Sequence, residues 1–207
     1  LTANAFLSSK MSFANMTDML CKKLGIDSAE LLNIVGSDWR IGGKMLKPGF
    51  AWGGNCFPRD AQSLIDTYTN SGISPSILRA ALEINDVRLF EPYSILQSKH
   101  VLNGQVFVLG LAFKSGVNVT SGSKSLQLLE YLRDKGYNAV AYDPNINPEE
   151  EAKLSGGTYR AVIVTTDEPC FDAIIDKTKL ANPRVLVLDY RMPRTPFTQP
   201  PEKIHSK

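Results

Sequence analysis

The chain has 207 residues with 43% hydrophobic and 21% charged content, enough apolar material for one large or two small globular domains with a real core. Its net charge of +2 gives no argument for a nucleic-acid or membrane-surface partner, and no apolar run approaches the length of a membrane-spanning helix or a signal segment. Three scattered cysteines (Cys21, Cys56, Cys170) and two histidines (His100, His205) form neither a disulfide framework nor a zinc-type cluster, so the sequence predicts no metal site and a reducing, cytoplasmic setting.

Helical spacing of Phe6, Leu7, Met11, Phe13, Met16, Met19, Leu20 and Leu24 predicts a helix over 3–24, with Gly25 as its C-cap. The chain opens without an initiator Met, as if inside a helix, and the expectation is a piece of a longer protein. Ser28 is read as the cap of a short helix through Val35, with Gly36 after it. The glycine-rich residues 42–54 suit no regular structure. Pro58 and Asp60 open a helix to about Tyr68. Ser74 and Pro75 read as N-cap and first residue of a long helix that Pro92 is expected to kink or interrupt. The first hundred residues are therefore predicted to be all-helical.

The character then changes. Short apolar runs at 105–109, 138–142, 161–164 and 185–188 suit strands buried on both faces. Between them lie a helix at 125–135 stopped by Gly136 and weaker helical connectors at 149–154 and 171–180. Alternating strand and helix predicts a doubly wound, Rossmann-like parallel sheet, so the fold class is an all-helical domain (1–103) followed by an α/β domain (104–192). The proline-rich residues 193–207 read as a flexible tail. Ligands in such sheets bind at the carboxyl ends of strands, here Gly110-Leu111-Ala112-Phe113-Lys114, Asp143-Pro144, Thr165-Thr166-Asp167 and Asp189-Tyr190-Arg191. The Ser- and Gly-rich loop from Ser115 to Ser125 runs into a helix and offers an anion site, and no GxGxxG fingerprint is present.

The most informative stretch is Pro48-Gly49-Phe50-Ala51-Trp52-Gly53-Gly54-Asn55-Cys56-Phe57-Pro58-Arg59-Asp60. Glycines let a backbone approach a ligand closely. A thiol at a helix start feels the positive end of the helix dipole, which favours thiolate. The stretch reads either as a ligand loop with a nucleophile in its wall or as a surface loop around an inert cysteine. A thiol hydrolase built on Cys56 lacks a histidine partner within any motif. Asn4 reads equally as an exposed helix residue, Arg40 as a cation at a helix C-terminus, Asp60 as an acid of a first helical turn, and Lys114 and Arg191 as solvated charges. The Met and Phe positions of the first helix are core or dimer interface.

With Asn4, Asp38-Trp39-Arg40-Ile41-Gly42, the cysteine stretch, Gly110-Leu111-Ala112-Phe113-Lys114, Tyr142-Asp143-Pro144 and Asp189-Tyr190-Arg191 in this order, the chain resembles the UDP-glucose/GDP-mannose 6-dehydrogenase family over residues 1–192. The resemblance implies only the middle and C-terminal parts of such an enzyme, without the N-terminal NAD-binding domain and the lysine expected just before Leu1. It implies a four-electron oxidation, in which a sugar C6 alcohol gives a hydride to NAD, the aldehyde is captured by a thiolate, and a second NAD takes a second hydride. The resulting thioester is hydrolysed to the uronic acid. Cys56 takes the place of the nucleophile, Asn4 that of an oxyanion donor, and Asp60 that of the group ordering the hydrolytic water.

Arg59, where most relatives have lysine, joins Cys56 on the cofactor side. Lys47, Gly49, Phe50, Ala51, Trp52 and Gly53 are implied to wrap the UDP- or GDP-sugar. Phe113, Lys114 and Arg191 reach it from the α/β domain, and Arg40 reaches into the site of a partner in a homodimer. The stretch Asn118-Val119-Thr120-Ser121-Gly122-Ser123 departs from the family, with Ser121 where an arginine reaches NAD. UDP-glucose is the expected substrate, GDP-mannose the alternative. The competing expectation is a nucleotide-sugar-binding and dimerisation module that is inactive by itself.

Overall fold

The computed structural model describes residues 1–101, 105–154 and 157–191. The expected domain boundary at 103/104 and the expected tail lie outside the described residues. The chain begins with α1 (Thr2–Leu24), α2 (Ser28–Ser37), α3 (Cys56–Asn70) and α4 (Ser76–Ser98), and no strand occurs among the described residues before β1 (Gln105–Leu109). Then follow α5 (Lys124–Asp134), β2 (Asn138–Tyr142), a 3-10 turn (Pro148–Glu150), α6 (Glu151–Leu154), β3 (Ala161–Val164), α7 (Phe171–Ala181) and β4 (Leu186–Asp189).

Local chemistry sets most boundaries. Gly25 closes α1 in the left-handed conformation, φ 69°, which a residue without Cβ adopts freely. The cap of α2 is Asp27 rather than the expected Ser28, because its carboxylate accepts the Ala29 and Glu30 N–H groups at 2.8 and 3.1 Å. Ser28 Oγ instead donates to Asp18 at 2.6 Å, and α2 runs through Gly36 to Ser37. Pro75 is the cap of α4, with no side-chain cap bond, and Ser76 starts the helix. Pro92 does not interrupt α4: a proline removes one backbone donor, and the buried Leu89 and Leu96 on either side hold the helix against the core. Each such fully buried leucine contributes about 1.5–3 kcal/mol.

The buried face of α1 is made of Ala5, Ser8, Met11, Ser12, Ala14, Asn15, Asp18 and Cys21. Small and polar residues therefore face α3 and α4, and Phe6, Phe13, Met16, Leu20 and Leu24 stand exposed. Of the large apolar residues that mark this helix in the sequence, Met11 joins the buried face, Leu7 and Met19 are half-buried, and the other five lie outside the monomer's core.

The four strands are all parallel, in the order β2-β1-β3-β4, with Val106 opposite both Ala139 and Ala161. The order reverses between β1 and β3, the crevice where open α/β sheets bind ligands. Alternation along β1 divides two cores. Val106 and Val108 join Leu128, Leu132 and Ile163 on one face, and Phe107 and Leu109 join Tyr142, Val164, Phe171 and Ile174 on the other. The first of these cores continues through Leu96 and Leu89 of α4 to Ala51 in the glycine-rich loop, so the helical layer and the sheet are packed as one body around that loop.

Candidate active site

Cys56 is the first residue of α3 and is exposed. Asn55 is the cap position, but its side chain caps nothing. The N–H groups of the first turn therefore face outward around the thiol, with the positive end of the helix dipole. Asp60 lies four residues on, hence on the same side of α3 one turn away. It is buried; Asn4 Nδ2 donates to its Oδ2 at 2.7 Å, and Arg59 Nε and Nη2 donate to Oδ1 at 3.0 and 2.9 Å. The hydrogen bond from Asn4, then those from Arg59, hold the Asp60 carboxyl below its ordinary range. Arg59 is held the other way, above its ordinary value, by its hydrogen bonds to Asp60 and by that carboxylate's charge. The structure thus brings Asn4, Cys56, Arg59 and Asp60 from two helices into one cluster.

The loop before Cys56 is fixed from beneath by polar side chains of α1 and α4. Asn15 accepts the Gly49 N–H at 2.9 Å, and Arg88 Nε donates to the Gly49 carbonyl at 2.7 Å. Asn85 mimics a strand partner, accepting the Trp52 N–H at 2.8 Å and donating to its carbonyl at 2.9 Å. The Trp52 indole N–H donates to Ser12 at 3.0 Å, and Ser12 donates to the Ala81 carbonyl at 2.6 Å. Trp52 is therefore a buried anchor with its polar edge satisfied, its ring edge-on to Phe57. Ser12, Asn15, Asp18, Asn85 and Arg88 escaped the motif reading. Their signal is a three-residue polar spacing on one helix face, Ser12-Asn15-Asp18 on α1 and Asn85-Arg88 on α4, all of it buried.

From the other side the α/β half closes on the same loop. The Gly54 N–H donates to the Gly122 carbonyl at 2.9 Å, and Ser121 Oγ donates to Asn55 Oδ1 at 2.7 Å. Three glycines permit this. A Cβ at Gly53 would stand 2.3 Å from the Gly122 oxygen, one at Gly54 3.0 Å from the Phe113 ring, and one at Gly122 2.6 Å from the Gly54 backbone. Phe113 is thus laid over Gly54, with its own N–H bonded to the Val119 carbonyl at 3.0 Å. The buried Asp143 explains the Tyr142-Asp143-Pro144 motif: Oδ2 accepts the Leu111 and Ala112 N–H groups at 2.8 and 3.0 Å and so shapes the turn that presents Phe113 and Lys114. Lys114 is exposed, 5.5 Å above the Phe113 ring.

The remaining residues sit as follows. Lys47 is half-buried at the start of the loop. Arg40 is exposed and folded back on Asp38, which its guanidinium and backbone N–H draw down to about 2. Lys10 anchors that turn to α1 through the Ile41 and Gly42 carbonyls at 3.0 and 2.9 Å. Arg191 engages Asp189 and, at 2.7 Å, Asp172, at the carboxyl edge of β4. Among the described residues neither arginine is bonded to the cysteine loop.

Two family signatures match, the central domain of the UDP-glucose/GDP-mannose dehydrogenase family over residues 1–87 and its UDP binding domain over 107–193. The chain belongs to the UDP-glucose/GDP-mannose dehydrogenase family. A UDP-glucose 6-dehydrogenase of Haloferax volcanii is 36% identical over 89% of this chain and 46% of its own length. One from Pseudomonas aeruginosa is 34% identical over 95% and 43%. A solved UDP-glucose dehydrogenase from Pyrobaculum islandicum superposes with a TM-score of 0.76 at 25% identity, covering 91% of this chain and 49% of that one. The chain spans less than half the length of the curated relatives it matches. The structure places Ser121 on Asn55 beside Cys56.

Proposed function

We propose that this chain carries the nucleophile and the nucleotide-sugar site of an NAD-dependent UDP-glucose 6-dehydrogenase. The observation that carries the reading is Cys56, exposed at the first turn of α3, one turn from an Asp60 that Asn4 holds in place. The loop over residues 47–53 and the Phe113–Lys114 turn meet at this point, as a nucleotide sugar lying across the two halves requires. Oxidation of the C6 alcohol leaves an aldehyde carbon. Cys56 Sγ forms a bond to it as the carbonyl electron pair moves onto oxygen. Asn4 Nδ2 has a second hydrogen beyond the one given to Asp60, and it supports that oxyanion. The adduct keeps the aldehyde bound and makes the second oxidation a hydride loss from a tetrahedral carbon, leaving a thioester that water opens to the acid and free thiol. Asp60, ionised and held low, orients that water rather than taking its proton.

NAD, when bound, accepts the hydrides. The residues that fit it here are Cys56 and Arg59, the latter an exposed guanidinium suited to a dinucleotide phosphate, whereas Ser121 serves the loop. The exposed stripe Phe6-Phe13-Leu20, spaced by seven on α1 and flanked by Met16 and Leu24, supports a homodimer through this helix, with Arg40 reaching the partner. Three free cysteines suit a reducing, cytoplasmic setting.

Cys56→Ser in the full-length gene product tests the assignment. Uronic acid formation from UDP-glucose is expected to fall at least about a thousandfold. Turnover close to wild type removes Cys56 as nucleophile.

A further inference from the structure

Tyr190 follows β4 and reaches out of the α/β half into the polar network beneath the cysteine loop; it is 3% exposed. Its ring stands edge-on to Phe50, centroids 5.5 Å apart. The Arg88 guanidinium lies over its face at 4.7 Å and the Lys22 ammonium at 5.0 Å. Arg88 is itself buried and divides its donors among the Gly49 carbonyl, Glu91 and Asp18, each at 2.7 Å. The buried Tyr190 hydroxyl makes no hydrogen bond of good geometry but has the Glu91 carboxylate beside it, and the ring carries the contacts to Phe50 and Arg88. Gly49 and Phe50 are thus held by a joint whose other side is the last strand. The next residue along that strand's exit is Arg191, at the carboxyl edge of the sheet where this architecture takes its ligand.

We infer that Tyr190 is a positioning residue: its ring, through Arg88 and Phe50, couples occupation of the nucleotide end of the α/β half to the conformation of the loop over residues 47–53. A cation held against a desolvated aromatic face has one preferred arrangement, and Arg88 cannot follow a shift of the ring without moving its hydrogen bond to Gly49. Ligand contact at Arg191 that settles the end of β4 therefore settles the sugar-side loop with it. The inference rests on the nucleotide-sugar reading.

Hydrogen exchange of the peptide spanning 46–55, with and without UDP-glucose, tests it in wild type, Tyr190→Phe and Tyr190→Leu. UDP-glucose is expected to slow exchange at least about fivefold in wild type and in Tyr190→Phe, and less than about twofold in Tyr190→Leu, with binding still present by calorimetry. Equal slowing in Tyr190→Leu overturns the coupling, as does its loss in Tyr190→Phe, which would assign the effect to the hydroxyl. If Tyr190→Leu does not fold, Tyr190→Met takes its place with the same outcomes, since it fills much of the same space without an aromatic face and leaves the Arg88 bond to Gly49 in place. Calorimetry on the wild type separates the two levels. Absence of UDP-glucose binding overturns the nucleotide-sugar reading and the coupling together, and binding to which the loop does not respond overturns the coupling alone.

Discussion

A methyl group added at Gly122 would lie 2.6 Å from the carbonyl carbon and oxygen of Gly54 and 2.9 Å from its Cα, all of them backbone atoms that cannot rotate away. Gly122 also has φ +71°, where a side chain costs about 1–2 kcal/mol. Overpacking a tight contact adds about 1–3 kcal/mol. Gly→Ala returns about 0.4–1 kcal/mol by restricting the unfolded chain. The expected net loss for Gly122→Ala is about 1–4.5 kcal/mol, centred on about 3 kcal/mol, which is about 6–12 °C in Tm at about 2–4 °C per kcal/mol for a chain of this size. Gly116→Ala is the control, because it has φ +72° in the same half of the molecule but nothing within 4 Å of its Cβ. It is expected to lose only about 1 kcal/mol.

Relief of the Gly122 clash has to displace one loop from the other by a fraction of an ångström. Since Gly54 is two residues from Cys56, kcat/KM is expected to fall about 10- to 100-fold in Gly122→Ala and to stay near wild type in Gly116→Ala. Scanning calorimetry of this chain and turnover of both variants in the full-length protein decide the matter. Equal Tm and equal turnover in the two variants would refute the direct contact between the cysteine loop and the α/β half.

Asn85→Ala removes both bonds to the Trp52 backbone and leaves buried peptide groups unpaired; chemical denaturation is expected to show a loss of about 2–4 kcal/mol, whereas Asp86→Ala on the exposed side of α4 is expected to change little. Asp60, with its carboxyl below the ordinary 3.8, contributes stability that is present above that value and lost as pH falls through its folded value. Acid unfolding should therefore show wild type above Asp60→Asn at neutral pH and the gap closing only below pH 3.8, and a gap that closes between pH 7 and 5 would contradict the cluster. Phe13→Asp on the exposed stripe of α1 is expected to shift sedimentation toward monomer and to make Tm lower and independent of protein concentration, and unchanged self-association would exclude this face as the dimer contact.

Much of the scaffold was legible because its signals are local. Gly25 ends α1 where a left-handed residue is needed, Gly136 follows α5 with φ 84°, and β1, β2 and β3 start and stop with their apolar runs. Asp27 displaced Ser28 as the cap because a carboxylate one residue earlier reaches two N–H groups, while Ser28 found a better partner in Asp18. At the site, the glycine run and Cys56 announced themselves by composition. For Trp52 the glycine loop suggests a ligand contact, and the folded chain adds what the motif does not carry, an indole bonded to Ser12 and buried. Periodicity on α1 left core and dimer interface open for the Met and Phe positions, since an exposed apolar stripe has the same spacing as a buried one, and the fold buries Met11 but leaves Phe6, Phe13 and Met16 outside the monomer's core.

The sequence by itself determined that a thiol stands at a helix start behind a glycine run, and that an all-helical segment precedes a parallel α/β sheet, because capping, strand burial and backbone freedom are properties of neighbouring residues. Tertiary structure alone decided that Asn4 meets Asp60 across 56 residues, that Asn15, Asn85 and Arg88 hold the loop from below, and that Gly53, Gly54 and Gly122 let the two halves touch backbone to backbone. Those pairings depend on where helices cross and how closely two loops approach, and no local pattern in the chain encodes that distance.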